Sequence, residues 1–228
     1  MTLKNSIIKL AAIAIVTFGL VDVGQADVIL TPEEYELGQL INQYRADNGK
    51  AEIPVTVSLT NVAQLHVNDL HVYEPDSHPG CNMHSWSANG NWSPVCYTPD
   101  HANAEGMWNK PREITNNLYT GNGYEIAYGN SNGATAIDAF LAWQQSPPHN
   151  DVLLNNGIWS NGSLNPWPAM GIGILEDHAV VWFGETVDPQ GNASTAPEPS
   201  AGLLLLVGLV SVLSRRKKEF SQHHGTRN

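Results

Sequence analysis

Apolar side chains recur with the period of an α-helix near the start of the chain. Between residues 31 and 49 they fall at positions i, i+3, i+4 and i+7: Leu37, Leu40, Ile41 and Tyr44. Thr31 precedes Pro32 and stands three residues before Glu34, which is the arrangement of a capping box with proline at the first helical position. Asn48 and Gly49 follow the last apolar position and favour a stop. The pattern predicts an amphipathic helix between Thr31 and Asn48.

A second helical pattern covers residues 58–73, SLTNVAQLHVNDLHVY. One face of it collects Leu59, Val62, Ala63, His66 and Leu70. This spacing places His66 against the core or on the wall of a pocket. Since a histidine on such a face is more often a hydrogen-bonded core residue than a ligand, we interpret His66 first as a core residue.

The helical period disappears between residues 74 and 132. This stretch is rich in Gly, Pro, Asn, Ser and Trp, and it is predicted to be a long loop. A loop of this length inside a compact domain usually serves a function or is held by a disulfide. The period returns in a third predicted helix, residues 134–145, which presents Ile137, Phe140 and Leu141.

The segment WQQSPPHND, residues 143–151, interrupts that third helix. Pro147 and Pro148 end it, because proline lacks an amide proton and pushes the residue before it out of the helical region. His149 follows at once. The turn is therefore expected to direct His149 over a site.

Two apolar runs complete the pattern: MGIGIL at 170–175 and HAVVWFGE at 178–185. Two polar residues, Glu176 and Asp177, separate the runs. This spacing predicts a β-hairpin within a small antiparallel sheet. Helices come first and strands last, with no βαβ alternation, so the sequence favours an α+β fold over a parallel sheet.

The beginning of the chain has the composition of a targeting segment. Lys4 and Lys9 flank the start of an apolar core, LAAIAIVTFGL, and the small residues of VGQA follow. This order predicts a signal peptide over residues 1–26 and an exported domain over residues 27–188.

Beyond residue 188 the chain resembles a sorting signal. A Pro/Ser-rich linker with a Pro-Glu-Pro motif (189–200) precedes a short apolar segment (201–214) and a basic tail (215–228). The apolar segment is shorter than the ~20 residues of a membrane-spanning helix, and the cations after it predict that the tail stays cytoplasmic. The order resembles the PEP-CTERM signal of Gram-negative bacteria. That resemblance implies an exosortase-type partner and a protein held at the membrane, transiently or stably, before it reaches the periplasm, cell surface or extracellular matrix.

The charge of the exported part excludes one class of partner. Residues 27–199 carry 20 acidic and four basic side chains, a formal net charge of −16. Because nucleic-acid binding needs a basic surface, we expect no nucleic-acid partner.

The two cysteines, Cys81 and Cys96, allow two interpretations. In an exported chain the first is a disulfide, which would close a 15-residue loop. The second is a structural zinc site, because His84 and His101 follow the two cysteines at ligand-like spacing. The disulfide is favoured, since thiols outside the cytoplasm tend to oxidise.

Five segments occur in an order that resembles the CAP family, the group of cysteine-rich secretory, antigen 5 and pathogenesis-related 1 proteins. They are LINQYRADNGKAEIPVTVSLTNVAQLHVNDL, MHSWS, GYEIAYGN, AFLAWQQSPPHNDVLL, and MGIGI with WFGE. The resemblance implies a three-layer α-β-α sandwich with a central antiparallel sheet, which agrees with the α+β pattern above.

The resemblance also implies a cavity lined by histidines and glutamates. His84 of MHSWS, Glu125 of GYEIAYG and His149 of SPPH match family positions, although Tyr124 and Ile126 replace the usual glycine and asparagine beside Glu125. Ser146 stands where animal and plant members have a second glutamate. The implied cavity set is thus His84, Glu125, Ser146 and His149.

Two imidazoles beside a carboxylate suit Zn²⁺ or a similar ion, so His84 and His149 are the candidate metal ligands. The other interpretation is a set of hydrogen-bonded polar residues that stiffen the loop. A zinc-dependent hydrolase or peptidase would use Glu125 as general base, and a serine enzyme would use Ser146 with His149. Ser146 does not stand in a G-x-S-x-G motif, and no H-E-x-x-H motif is present.

We therefore expect a non-enzymatic binding module outside the cytoplasm for a glycan, lipid or envelope ligand. The alternatives are the hydrolase and a structural protein of the extracellular matrix. Tryptophan rings can stack on sugars or contact lipids, or fill a core poor in Leu and Phe. Five lie in or beside the predicted loops: Trp86, Trp92, Trp108, Trp159 and Trp167.

Overall fold

The computed structural model describes residues 28–161 and 166–195. The predicted signal peptide, the Pro-Glu-Pro motif, the apolar segment and the basic tail lie outside these residues. Within the described ranges, no helix is long and apolar enough to cross a membrane.

The described residues form helices and strands in an irregular order along the chain. The helices are α1 Pro32–Asp47, α2 Val57–Tyr73, α3 Ala104–Trp108, α4 Lys110–Ile114, α5 Ala136–Gln145 and α6 Pro147–Leu153. The strands are β1 Ile29–Leu30, β2 Gly123–Gly129, β3 Ala169–Leu175, β4 His178–Gly184 and β5 Ser194–Thr195. Two 3₁₀ turns cover Pro75–Ser77 and Gly157–Ser160.

The capping box predicted for the first helix is confirmed. The Thr31 hydroxyl accepts from the Glu34 amide at 3.2 Å, and the Glu34 carboxylate accepts from the Thr31 amide at 2.8 Å. Two of the amides that a helix start leaves unpaired are thus satisfied locally.

The central sheet is antiparallel, with strand order β2-β4-β3. The predicted hairpin supplies β3 and β4, with Leu175 paired to His178 across the turn. β2 is the edge strand on the other side of β4, and its residue Glu125 pairs with Trp182. The residues just after the domain boundary predicted at 188 also pack on the domain, because β5 pairs in parallel with β1.

Each face of the sheet carries its own hydrophobic core, so the fold is the α-β-α sandwich that the sequence predicts. One core joins the sheet to α1, α5 and α6 through Ile126, Ile172 and Phe183 among others. The other joins the opposite face to α2 and the 83–119 region through Ala127, Val180 and Trp182. This second face carries Glu125.

α2 lies unusually close to β3 because glycines replace side chains at the contact. A Cβ atom on Gly171 would lie 1.9 Å from the carbonyl carbon of Leu59, and one on Gly173 would lie 2.4 Å from the carbonyl oxygen of Ala63. Alternate glycines on one strand face thus let the helix backbone rest directly on the sheet.

The predicted loop between residues 74 and 132 is partly wrong. It contains β2 as well as α3 and α4. β2 was missed because its alternation is short, only Tyr124, Ile126 and Tyr128, and lies within a stretch rich in turn-forming residues. The stretch is also held by the disulfide between Cys81 and Cys96. That bond leaves neither thiolate for the alternative zinc site.

The region around the two prolines differs from the prediction in two respects. The face of α5 that packs inward consists of Ala136, Ala139, Phe140 and Trp143, whereas Ile137 and Leu141 are about half exposed. The chain does turn at Ser146, but Pro147 then begins α6, so His149 stands in a helix rather than a loop. Proline is favoured in the first turn of a helix, where its missing amide has no partner to lose.

Candidate functional site

A cavity of about 750 Å³ opens beside the edge strand β2. Its walls come from the loop before α3, from α3 itself, from β2, and from α6 with the following 3₁₀ turn. One part of the wall is polar: Asn82, His84, His101, Glu125, His149 and Asp151. The rest is apolar or aromatic and includes Met107, Trp108, Tyr124, Ile126, Val152, Ile158 and Trp159. We call it the histidine cavity.

Glu125 is held between two histidines at the floor of this cavity. Its Oε1 lies 2.5 Å from Nδ1 of His66, and its Oε2 lies 2.7 Å from Nδ1 of His84. The Glu125 side chain has no solvent exposure. Burial on its own would raise the pKa of Glu125, but the charge of His66 and the hydrogen bonds from both histidines outweigh it and lower that pKa. The carboxylate is therefore ionised at neutral pH.

The hydrogen bonds fix the protons on His66. Its Nε2 lies 2.9 Å from the backbone carbonyl oxygen of Ser85, which only accepts, so Nε2 carries a proton. The contact from Nδ1 to the ionised Glu125 needs a second proton. His66 is thus an imidazolium, and with Glu125 it forms a buried pair without net charge. Its ring also stacks on Trp86, with centroids 4.1 Å apart and planes 5° apart.

His84 is oriented through the same carboxylate. Because Glu125 only accepts, His84 donates through Nδ1. Nε2, on the other side of the ring, is then the nitrogen available to a ligand. The His84 side chain is 22% exposed, in contrast to the fully buried His66. Glu125 therefore positions His84 rather than facing a ligand itself.

His149 contributes a second imidazole to the cavity wall. Its Nδ1 is buried and has no hydrogen-bond partner among the described residues. Burial, and then the proximity of His84, lower the pKa of His149. His149 is therefore neutral at pH 7 and presents an unsatisfied nitrogen.

The structure brings three of the four predicted cavity residues to the cavity. His84, Glu125 and His149 line it. Ser146 lies between α5 and α6, where its backbone carbonyl accepts from the Asn150 amide at 2.8 Å, and it is not part of the cavity wall. Asp151, one turn further into α6, supplies a carboxylate at the wall instead.

Sequence reasoning missed the role of His66, which was interpreted as a core residue. It is buried, as expected, but its partner is the central carboxylate of the site. The one signal for this was its position on the apolar face of α2, where a polar ring needs a partner. Tyr97 and His101 are joined by a 2.8 Å hydrogen bond at the cavity wall. Tyr97 was missed, and His101 was considered only as a ligand of the alternative zinc site.

The donor set fits a zinc centre only in part. His84 Nε2 and the orphaned His149 Nδ1 are suitable nitrogens, but both oxygens of Glu125 are already engaged. A shared metal ion would also need ligand atoms that all lie within 4.8 Å of one another. In the part of the chain described, His84, Glu125 and His149 together do not meet this condition. A catalytic zinc ion normally has three protein ligands, so this arrangement does not provide such a centre.

Comparison of the sequence with known protein families identifies the class of protein to which this fold and cavity belong. The model of the CAP (cysteine-rich secretory protein) family matches residues 39–161. The chain belongs to this family. No curated protein shows significant similarity to it.

Three solved structures share part of the fold. A cysteine-rich secretory protein from Staphylococcus aureus subsp. aureus Mu50 is 17% identical, with a TM-score of 0.41 over 68% of this chain and 38% of that one. An outer surface protein from Borrelia burgdorferi is 18% identical, with a TM-score of 0.43 over 69% of this chain and 96% of that one. An extracellular protein containing an SCP domain, from Bacillus anthracis str. Ames, is 14% identical, with a TM-score of 0.44 over 69% and 44%. The chain thus spans less than half the length of the first and third.

Proposed function

We propose that this CAP protein is an exported, non-enzymatic binding module whose histidine cavity takes an amphiphilic ligand of the cell envelope. The ligand would place a hydrogen-bonding head on His84 and His149 and an apolar body against the aromatic wall. The observation that carries the proposal is the division of one cavity into an imidazole-lined part and an aromatic part.

The aromatic wall is continuous. The Tyr124 ring lies 5.7 Å from the Trp108 ring and 5.1 Å from the Trp159 ring, measured between centroids. Ile158 adds an apolar side chain that is 76% exposed beside it. Apolar walls with few placed polar groups are typical of small-molecule sites. A lipid-like body suits this wall better than a bare glycan, which would need more hydrogen-bonding groups.

The remaining tryptophans support the fold. Trp86, Trp143, Trp167 and Trp182 are almost fully buried. Of the five proposed from the sequence as ligand platforms, Trp108 and Trp159 line the histidine cavity, and Trp92 packs edge-on against Trp86.

Binding is favoured over hydrolysis because the would-be general base is occupied. A general base must reach a water molecule or a substrate proton, whereas both oxygens of Glu125 accept from histidines inside the fold. If Zn²⁺ binds in this cavity, His84 and His149 would hold it, and it would supply a Lewis acid there.

Export is part of the proposal. The signal-like residues 1–26 and the PEP-CTERM-like C-terminus support it. So does the Cys81–Cys96 disulfide, since such bonds persist in oxidising compartments. The partner for sorting would be an exosortase-type enzyme, with attachment to the membrane through residues 201–214.

Binding should follow the cavity tryptophans. We expect dodecyl maltoside, below its micelle concentration, to change the tryptophan fluorescence of the full-length protein and to bind in calorimetry, while maltose alone binds much more weakly. Trp108→Ala and Trp159→Ala should each weaken binding about tenfold, because each removes part of the stacking wall.

Trp92→Ala is the matched control, since this ring is half buried but lies outside the cavity. The parent and its three variants all keep the apolar segment at residues 201–214, so any detergent binding by that segment is the same in all four proteins. Equal affinity in all four proteins would contradict the proposal and leave the structural matrix role. Binding of maltose alone would point to a glycan. Steady cleavage of a dodecanoyl ester, lost in Glu125→Gln, would point to a hydrolase.

A further inference from the structure

A second group of potential ligands lies away from the histidine cavity. His71 stands in the last turn of α2, and Asp177 and His178 stand at the turn between β3 and β4. Asp177 Oδ1 is 3.0 Å from His71 Nδ1 and 2.9 Å from His178 Nδ1. Each of the three side chains offers one ligand atom, and these atoms all lie within 4.8 Å of one another. Among the described residues, this is the group of His, Cys, Asp or Glu side chains close enough together to hold a metal ion.

His178 contributes the most buried side chain of the group. Its side chain is 11% exposed, against 40% for His71 and 42% for Asp177. Asp177 Oδ1 lies 2.9 Å from the His178 Nδ1 and also accepts from His71, so one carboxylate oxygen serves two imidazoles. A cation between the three side chains would take one donor atom from each, where a single oxygen now serves both rings.

We propose that His71, Asp177 and His178 form a binding site for a divalent transition-metal ion such as Zn²⁺. Two imidazole nitrogens and one carboxylate oxygen are a common donor set for such ions. Ligand atoms around a tetrahedral Zn²⁺ lie about 3.3 Å apart, so the present separations must widen by a few tenths of an ångström. The side chains of His71 and Asp177 are 40% and 42% exposed and have room to move.

The surroundings favour a cation. Desolvation on its own would raise the pKa of Asp177, but hydrogen bonds from His71 and His178 and the charge of His178 outweigh it and lower that pKa, so the carboxylate is ionised at neutral pH. The C-terminus of α2, where His71 lies, carries the negative end of the helix dipole. The ion would join α2 to the β3–β4 turn across 106 residues of chain. The site would also be open to solvent.

The site is separate from the histidine cavity. His178 precedes Trp182, the partner of Glu125, by four residues on β4, which is about 13 Å along an extended strand. Loss of ligand binding in the histidine cavity would therefore leave the metal site intact. Loss of the metal site would likewise leave ligand binding in the cavity intact.

The test is calorimetric titration of Zn²⁺ into metal-stripped full-length protein in mild detergent at pH 7.5. His223 and His224, which lie outside the described residues, are replaced by alanine throughout, because adjacent histidines in the tail could bind the ion themselves. We expect one ion at this site. His71→Ala and Asp177→Asn should each weaken Zn²⁺ binding at least about tenfold. Even a residue that only orients a metal ligand contributes about 10–100-fold to metal affinity, and these two are proposed as ligands themselves.

Two controls separate this site from others. His78→Ala removes another exposed histidine and should leave the affinity unchanged. His149→Ala should remove only an ion bound in the histidine cavity, if one binds there. The proposal is overturned if no ion binds, if His71→Ala and Asp177→Asn bind like the parent, or if His149→Ala alone abolishes binding.

Discussion

Gly171→Ala should lower the free energy of unfolding by about 3 kcal/mol, the upper part of the range for overpacked cores. The added methyl group would lie 1.9 Å from the Leu59 carbonyl carbon and 2.2 Å from the Thr60 nitrogen. These are backbone atoms of α2, so no side-chain rotation relieves the clash and the helix must move off the sheet. The same movement would shift His66, two turns further along α2. Urea unfolding followed by circular dichroism measures the loss.

Gly129→Ala is the matched control on another strand of the same sheet. The nearest atom to its added methyl group is the Met83 sulfur at 3.1 Å, the end of a flexible side chain. We expect a change of less than about 1 kcal/mol there. Similar losses in the two variants would show that α2 does not rest on the β3 backbone as described.

Glu125→Ala should destabilise the fold by about 3–5 kcal/mol, because it leaves the proton of His66 in a dry site without a partner. Glu125→Gln should cost much less. Its amide group can donate to Nδ1 of a neutral His66, and its oxygen can accept from His84. Thermal or urea unfolding of the three proteins at pH 7 measures the difference.

The pH dependence of this loss has a defined sign. The pKa of Glu125 is lowered in the fold from the ordinary value of 4.5. Its contribution to stability is therefore fully present above about pH 4.5, and it is lost as the pH falls through the lower, folded-state pKa. The stability gap between the parent and Glu125→Ala should narrow on acidification below pH 4.5. A gap that stays constant to pH 3 would mean that Glu125 is not an ionised partner of the histidines.

Local signals in the sequence predicted the elements that local contacts stabilise. The capping box at Thr31, the apolar face of α2 and the hairpin at residues 170–185 are all present, because each depends on neighbours a few residues apart. β2 depends on β4, more than 50 residues later in the chain. Its alternation of Tyr124, Ile126 and Tyr128 is too short to stand out among the turn-forming residues around it.

The candidate site was predictable only as far as the family pattern reached. That pattern identified His84, Glu125 and His149, and the fold places all three at one cavity. It could not identify His66, because the contact with Glu125 exists only once α2 lies across the sheet. It also placed Ser146 in the set, whereas the turn into α6 leaves Asp151 at the wall instead. Which residue of a short helix faces a cavity is set by tertiary packing, not by motif order.

The proposed function depends on one arrangement of protons, in which Glu125 holds His66 and His84 and leaves Nε2 of His84 for a ligand. The most direct test is nitrogen-15 magnetic resonance of the histidine rings at pH 7, assigned through the His66→Gln and His84→Gln variants. A ring nitrogen without a proton resonates far from one that carries a proton. We predict protons on both nitrogens of His66 and on Nδ1 of His84. A His66 that lacks a proton on one of its nitrogens, or a His84 that lacks the proton on Nδ1, would contradict the account.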